Sequence, residues 1–451
     1  MVLRTERPAH PNEPPPASTE QPVERKWDWY LIVATVALVL QSGLLFLALF
    51  EPSLPYSMVN RQTDPLDSER FLLTLAATTH AHSGEVAALE VLTDGRDYYP
   101  AELAAIRAAT MSITMEGYII EDGEVQAQFF EALSERARAG VKVHLVADAV
   151  GSIKLSNGEV AKLQNAGGRF AWYMPLRWYT WHRINYRAHR ELLIVDGRIG
   201  FIGGSGWADH WIKPTGGDAR AWRDTMVRVE GPIVTHLQSA FSENWLEASG
   251  EVLNGKEFFP FESSSVKSKA MVVRSSPSYG RGTSVRVLFQ SLMAAAQKRI
   301  HITTPYFLPD NSVRDELIRA IKERGVEVKI ITPGPGTDHL LTRRSSRRLF
   351  GPLLEAGAQI YEYDAAMIHA KVLLVDDLWS VVGSTNIDPR SFQLNDEVNL
   401  AMPDTGLAAR LEADFREDLA HAKPVDYEEW RKRGVAERIH EFLGMWLQRQ
   451  Q

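Results

Sequence analysis

Two histidines in matched settings give this chain its first hint of chemistry. His189 stands in "AHRELLIVDG" and His369 in "IHAKVLLVDD", and each is followed seven positions later by an aspartate, Asp196 or Asp376. An imidazole with an ordinary pKa near 6.5 can be neutral or charged at working pH. Two such rings brought together can therefore divide a reaction, one attacking while the other donates a proton. The copies differ at their third position, which is Glu191 in the first and Lys371 in the second. A unit charge pair about 4 Å apart at an effective dielectric near 20 is worth roughly 4 kcal/mol, so replacing attraction by repulsion changes the interaction with an anion by about twice that. The exchange is too large to be incidental if both side chains face the same anion.

The elements around the motifs must present these side chains. In each copy the apolar run ends in a turn and a second apolar run, "HRELLIV-DG-RIGFIGG" and "HAKVLLV-DD-LWSVVGS", and Asp196-Gly197 is a strong hairpin signal. Residues two apart in a strand share a face, so His189 faces the same way as Glu191, and His369 the same way as Lys371. Asp196 and Asp376 fall at odd spacing in the turns. They join the candidate catalytic set as part of the repeated pattern, but their position suits fixing backbone or salt-bridging better than touching substrate.

The repetition extends well beyond the histidines. "AIRAATMSITMEGYII" (105 to 120) parallels "LMAAAQKRIHITTPYFL" (292 to 308), and "ALSERARAGVKVHLVAD" (132 to 148) parallels "AIKERGVEVKIITPG" (320 to 334). The second pair reads as a charged helix, a glycine stop and a buried strand. Offsets of 188 residues at Tyr118/Tyr306, 185 at Gly140/Gly325 and 180 at His189/His369 drift slowly, as in a duplicated domain with small deletions. The expected fold is therefore α/β, with two pseudo-twofold related lobes, each a mixed sheet flanked by helices. The lobes span 85–250 and 271–425, with a linker at 251–270 that contains "ESSSVKSK".

A chain of 451 residues, 45% hydrophobic and 24% charged, is long enough for two such lobes. A formal net charge of -7 argues against a nucleic-acid binder, and the absence of cysteine excludes disulfides, thiolate metal sites and a cysteine nucleophile. Residues 1–26 are proline-rich and polar and read as disordered. From Tyr30 to Phe50 there are 21 residues without a charge. At about 1.5 Å each they would span a bilayer core, so 27–52 is expected to be a transmembrane helix rather than a cleaved signal, followed by a linker at 53–84. Trp27, Trp29, Tyr30 and Tyr56 would sit at headgroup level, and Arg4, Arg7, Arg25 and Lys26 against Arg61 and Arg70 lean towards an N-terminus inside.

The His-x-Lys-x4-Asp of the second half, matched in the first by the same frame with Glu191 at the lysine position, together with "TPYFLPD" (304 to 310), "YEYDAAMIHAK" (361 to 371) and "VGSTNIDPRSFQLNDEVNL" (382 to 400), resembles the phospholipase D superfamily, and within it the bacterial cardiolipin synthases. The resemblance covers about residues 88 to 425. It implies phosphodiester chemistry through a phosphohistidine, with the first motif's histidine tending to be the nucleophile. It also implies an acidic residue that orients each histidine, which by position is Glu397 in "LNDEVN" and Asp224 in "WRDTMV". Physically, Lys371, Asn386 and Ser384 are candidates to hold phosphate oxygens, and His369 has the better-furnished phosphate site. The residues do not decide which histidine attacks. No cofactor or metal is expected, since the other histidines form no HExxH pattern and only an HAH at 80 to 82.

The first half departs from the pattern twice, with Glu191 at the lysine position and Gly206 opposite Asn386. Three readings of Glu191 stay open. It pairs with Arg183, Arg187 or Arg190 and so presents guanidinium to a phosphate or a second headgroup. It hydrogen-bonds a substrate hydroxyl. Or the first half keeps the fold and His189 without full activity. Arg187 and Arg190 are accordingly candidate substrate-binding residues.

"FAWYMPLRWYTWHRINYRAHR" (170 to 190) mixes aromatic and basic residues as a lipid-facing segment would. Arg343, Arg344, Arg347 and Arg348 on adjoining helical turns would repel one another unless anions are near. The 426–451 segment has Val435, Ile439, Phe442, Leu443 and Trp446 at helical spacing, as an amphipathic helix that docks on the body or lies in the interface.

The resemblance implies a phosphatidyltransferase anchored by a single pass in a bacterial inner membrane. It would make cardiolipin from two phosphatidylglycerols, with no nucleic-acid partner, as a monomer whose site lies between the lobes. The rivals are a hydrolase of phospholipid or nucleic acid from the same superfamily, and a catalytically impaired lipid-binding protein.

Overall fold

Lys26–Phe50 forms one helix of 25 residues, about 38 Å at the α-helical rise and so longer than a hydrocarbon core. The stretch Trp29–Phe46 is apolar and unburied throughout, and this helix belongs to a unit separate from the rest of the chain. The computed structural model describes residues 26–50, 56–59, 64–175, 177–178, 183, 185–261, 268–277 and 283–434. The proline-rich tail with Arg4, Arg7 and Arg25, the Trp27 side chain, Arg61, residues 262–267 and the C-terminal stripe from Val435 to Trp446 lie outside what is described.

Among the described residues the body contains two sheets. In chain order its strands are β1 (His82–Glu85), β2 (Ala88–Thr93), β3 (Ser112–Gly117), β4 (Lys142–Asp148), β5 (Arg169–Tyr173), β6 (Arg187–Ala188), β7 (Leu192–Val195), β8 (Ile199–Gly203) and β9 (Thr225–Glu230). The second half continues with β10 (Lys269–Ser275), β11 (Arg299–Thr303), β12 (Glu327–Pro333), β13 (Gln359–Tyr363), β14 (Val372–Val375), β15 (Trp379–Gly383), β16 (Asn395–Pro403) and β17 (Ala422–Pro424). The first sheet has the order β2-β9-β8-β7-β3-β4-β5, and the second β1-β10-β16-β15-β14-β11-β12-β13-β17, with β6 pairing onto β16. Without the edge strands β1 and β17, the two orders match strand for strand. In both, the three strands at one end are parallel and the others antiparallel. The two α/β lobes read from the repeat are therefore present.

Local sequence explains the matching pieces. The helix Asn311–Arg324 starts where the Asp310 carboxylate accepts the Val313 amide and stops at Gly325 in the left-handed region, and β12 follows. Its counterpart Glu124–Arg138 leads through Gly140 into β4. Both motif hairpins turn through paired positive φ values, 54° and 64° at Asp196-Gly197 and 55° and 60° at Asp376-Asp377, as a two-residue hairpin requires.

Each sheet has its own outer core, against Phe129, Phe130 and Trp207 in the first lobe and Leu288, Leu317 and Phe350 in the second. A further cluster draws on both sheets, combining Val146, Ile194, Ile202 and Val227 with Leu374, Val382 and Leu400. The lobes thus share a core. Within the stretch expected as a linker, the helix Glu69–Thr79 buries Phe71 and Leu75 in the second lobe's cluster.

Candidate active site

Both motif histidines sit where an extended segment enters the first strand of its hairpin, at the edge where the parallel strands end. The chain crosses between halves here. β6 pairs in parallel with Asn395 and Asp396 of β16, and the His189 amide donates to the Asp396 carbonyl at 2.9 Å. The mirror-image arrangement bridges Arg223 to Ile368, with the His369 amide donating to the Arg223 carbonyl at 2.7 Å.

These crossed ladders set the side chains. Nδ1 of His189 lies 2.9 and 3.0 Å from the two Glu397 oxygens, and Nδ1 of His369 lies 3.0 Å from Asp224. In each pair the histidine and the acid come from different halves. A carboxylate at Nδ1 fixes the ring's orientation and leaves Nε2 for chemistry. Glu397 also accepts from the Ser384 hydroxyl and from Asn395 (3.2 Å), while Asp224 accepts from the Trp211 indole at 3.2 Å and its own neighbour's amide, that of Thr225, at 2.8 Å. Burial opposes ionisation of Asp224, but the His369 hydrogen bond and the Lys371 charge bring its pKa below the ordinary value. For His369, burial and then Lys371 push the pKa down against the pull of Asp224.

Lys371 is the site's buried ammonium. Its Nζ lies 2.8 and 3.0 Å from the nitrogens of the His369 ring and donates to the carbonyls of His369 (2.8 Å) and, across the lobes, Gly204 (3.4 Å). A side chain at 204 would put its Cβ 2.9 Å from that Nζ, so glycine leaves the lysine its room. Burial lowers the Lys371 pKa to about 8, with Asp224 and Glu191 opposing the fall.

Glu191 makes no ion pair with Arg183, Arg187 or Arg190 among the described residues. It is 4% exposed, and its Oε1 accepts the amides of Tyr118 (3.0 Å) and Ile119 (3.4 Å). Its Oε2 is buried without a protein partner. Burial pushes its pKa well above the usual carboxylate range, against the pull of those two amides and Lys371. The lysine position of the first half thus holds a buried carboxyl whose ionisation burial opposes, bonded to backbone amides rather than turned to an arginine. Gly206 has its own cause: a Cβ there would clash with the Ile119 carbonyl, so no side chain fits at the position aligned with Asn386.

The remaining candidates divide. Asn386 is 3% exposed, with its side-chain oxygen unpartnered, whereas Ser384 is turned to Glu397 rather than to an open anion position. Arg187 is buried and pairs with Asp148 at 3.3 Å. Arg190 does not face the site. Strand neighbours point to opposite faces, and its fully buried guanidinium reaches the Ala240 carbonyl (2.7 Å), the Ser275 carbonyl (3.0 Å), Glu243 (3.1 Å) and Asp396 (3.5 Å). Asp196 and Asp376 lie at the far ends of their strands, roughly 23 Å along the chain from the histidines. Asp196 accepts the amides of Thr110, Met111 and Ser112, and Asp376 those of Gln297, Lys298 and Arg299.

Several contacts carried no advance signal. Tyr118 meets the His189 ring edge-on at 5.1 Å, and Trp211 and Trp222 each lie 5.6 Å from His369. The repeat did mark Tyr118 and Tyr306 as equivalents, which was a usable clue. The arginine run is less repulsive than its sequence suggests, because Arg343 and Arg347 each reach Glu362 of β13 at 2.8 Å.

A family model described as "Cardiolipin synthase, PLD-like domain" matches residues 103–245 and 289–419, one block in each lobe. The chain belongs to the phospholipase D superfamily. A probable cardiolipin synthase of Bacillus subtilis is 34% identical over 83% of this chain and 74% of its own length, and a cardiolipin synthase of Halalkalibacterium halodurans is 35% identical over 78% and 70%. A phosphatidylserine synthase of Haemophilus influenzae superposes with a TM-score of 0.62 at 16% identity, over 84% of this chain and 96% of that one, and shares the fold. As a phospholipase D-superfamily member with these relatives, the chain is a phosphatidyltransferase-type enzyme, and the one helix among the described residues that is long and apolar enough to cross a membrane fits a single-pass membrane protein.

Proposed function

We propose that this phospholipase D-superfamily enzyme makes cardiolipin from two molecules of phosphatidylglycerol. Nε2 of one motif histidine attacks the phosphorus of the first lipid. The bond from phosphorus to the headgroup glycerol oxygen breaks, and the other histidine, protonated, donates to that oxygen as glycerol leaves. The phosphatidyl group is then held on the first ring through a P–N bond. The second ring, now neutral, takes the proton from a headgroup hydroxyl of the second lipid, whose oxygen attacks phosphorus as the P–N bond breaks. Lys371 and Asn386 would hold the phosphate oxygens, and Glu397 and Asp224 would keep the rings oriented and stabilise each imidazolium.

The observation that carries this reading is the crossed pairing of His189 with Glu397 and His369 with Asp224, two equivalent acid–histidine units on facing lobes. The core shared by the lobes supports a monomer with one site between them. The excess of Arg4, Arg7, Arg25 and Lys26 before the apolar helix supports an N-terminus on the cytoplasmic side.

The test is incubation of the full-length protein with phosphatidylglycerol vesicles, followed by separation of the products. Cardiolipin and glycerol in equal amounts are expected. Phosphatidic acid without cardiolipin would mean that water is the acceptor and would overturn the transferase reading.

A further inference from the structure

We propose that the mouth of the site seats directly in an anionic lipid surface through Ile153, Trp178, Leu340 and Leu341. The inference rests on the reading of this site as one that takes phospholipid from a bilayer. Single exposed apolar residues are ordinary on a protein surface, so their placement has to carry the argument. Ile153 (76% exposed) lies on the loop that follows β4. Leu340 (55%) and Leu341 (37%) open the helix Leu340–Ala356, which follows β12. β4 and β12 hold equivalent places in the two sheets, so the repeat puts an exposed apolar group on each side of the pseudo-twofold. Trp178 (78%) lies beyond β5, the next parallel strand. All three loops leave the edge where the histidines stand.

The loops after β4 and β12 are also tied to the site, the second through Asp338, whose charge acts on His369. The Ser152 hydroxyl donates to the Tyr118 carbonyl at 2.8 Å, and the Tyr118 ring abuts His189. On the other side the Tyr306 hydroxyl donates to Asp338 at 2.6 Å, two residues before Leu340. Basic residues adjoin the apolar ones: Lys154, exposed and paired with Glu121 at 2.9 Å, follows Ile153, Arg177 precedes Trp178, and Arg344, exposed, lies one helical turn beyond Leu340. Apolar tips set among cations suit a surface with acyl chains beneath anionic headgroups, and tryptophan is favoured at that depth. A surface that seats in phosphatidylglycerol would let a headgroup reach the histidines without its lipid leaving the bilayer.

The chain has no cysteine, so a single introduced one takes a unique label. Ile153→Cys, Leu340→Cys and Val252→Cys are prepared in the full-length protein, tagged with a nitroxide and reconstituted into phosphatidylglycerol-containing vesicles. Val252 is an apolar control, 73% exposed, in a concavity shared with Gly140, Lys142, Gly167 and Arg169 at the opposite ends of β4 and β5. Collision rates with oxygen, which concentrates in lipid, and with a water-soluble nickel chelate are then compared. The oxygen-to-nickel ratio at 153 and 340 is expected to exceed that at 252 several-fold. Labels at 153 and 340 as open to nickel as the control would overturn the proposal. Shielding from both reagents would also overturn it, since that is contact with protein rather than lipid. Aqueous labels with cardiolipin still produced would reject the seating alone, and lipid-embedded labels without cardiolipin would reject the proposed reaction alone.

Discussion

The imidazole of His189 is held 2.9 Å from the carboxylate of Glu397, a residue 208 positions further along the chain, and His369 stands in the same relation to Asp224 in the opposite direction. Neither half carries a complete acid–histidine unit. Replacing Glu397 by Gln or Asp224 by Asn keeps the shape but removes the negative charge that favours an imidazolium and fixes the tautomer. General acid–base contributions are typically about 10²–10⁴-fold, so each variant is expected to lower kcat within that range with little change in KM. A fall in apparent affinity with kcat unchanged would show these acids to be lipid-binding groups.

Lys371 is expected to set the alkaline limit of turnover. Its pKa is lowered to about 8, so the ammonium is present below that value and is lost as pH rises through it. Turnover is expected to fall above about pH 8. In Lys371→Arg, whose guanidinium stays charged, that limb should move upwards even if absolute activity drops. An alkaline limb at the same pH in both proteins would assign it to another group.

Glu191 is expected to tolerate an uncharged amide in its place and to resist a cation. Glu191→Gln should fold and retain turnover within several-fold. Glu191→Lys, which restores the family residue, buries a second ammonium near Lys371 where Gly206 offers no amide side chain, and should destabilise by about 3 kcal/mol or more. Because its folded pKa is raised, Glu191 keeps a proton that the unfolded chain releases, so its contribution to stability diminishes as pH rises above the ordinary carboxylate range. In thermal unfolding the Gln variant should lose less stability than the parent as pH rises above the ordinary carboxylate range. A Lys variant as stable and active as the parent would contradict the account of Glu191 as a buried carboxyl held by the Tyr118 and Ile119 amides.

The turn aspartates should affect folding rather than chemistry. Hydrogen bonds to charged groups are worth about 1.5–3 kcal/mol, and Asp196 and Asp376 each collect three backbone amides. Asp196→Ala and Asp376→Ala are each expected to cost roughly 2–4 kcal/mol in denaturant unfolding, with kcat unchanged at temperatures where the variant is folded. A loss of kcat in a fully folded variant would return them to the catalytic set.

The architecture was legible because the duplication leaves its period in the chain. The Tyr118/Tyr306 and Gly140/Gly325 offsets mark equivalent strands and helix stops, and the two sheets match in order. The site was legible in part. His369 and Lys371 share a face because two-residue spacing in a strand requires it. The same alternation sends Arg190 to the opposite face, where it is buried against Asp396 and Glu243. Two things needed three dimensions. The crossing of His189 to Glu397 depends on β6 laddering onto β16, a contact between segments far apart in sequence. The fate of Glu191 depends on the backbone of Tyr118 and Ile119, which no side-chain pattern reveals.

The most direct test of the central claim, that two histidines from two lobes form one phosphoryl-transfer site, is trapping of the intermediate. The protein is mixed with phosphatidylglycerol, quenched under alkaline conditions that preserve phosphoramidates, digested and examined by mass spectrometry. A phosphatidyl group on His189 or on His369, and on no other residue, is the predicted result. Turnover without an adduct on either ring, or an adduct elsewhere, would contradict the account.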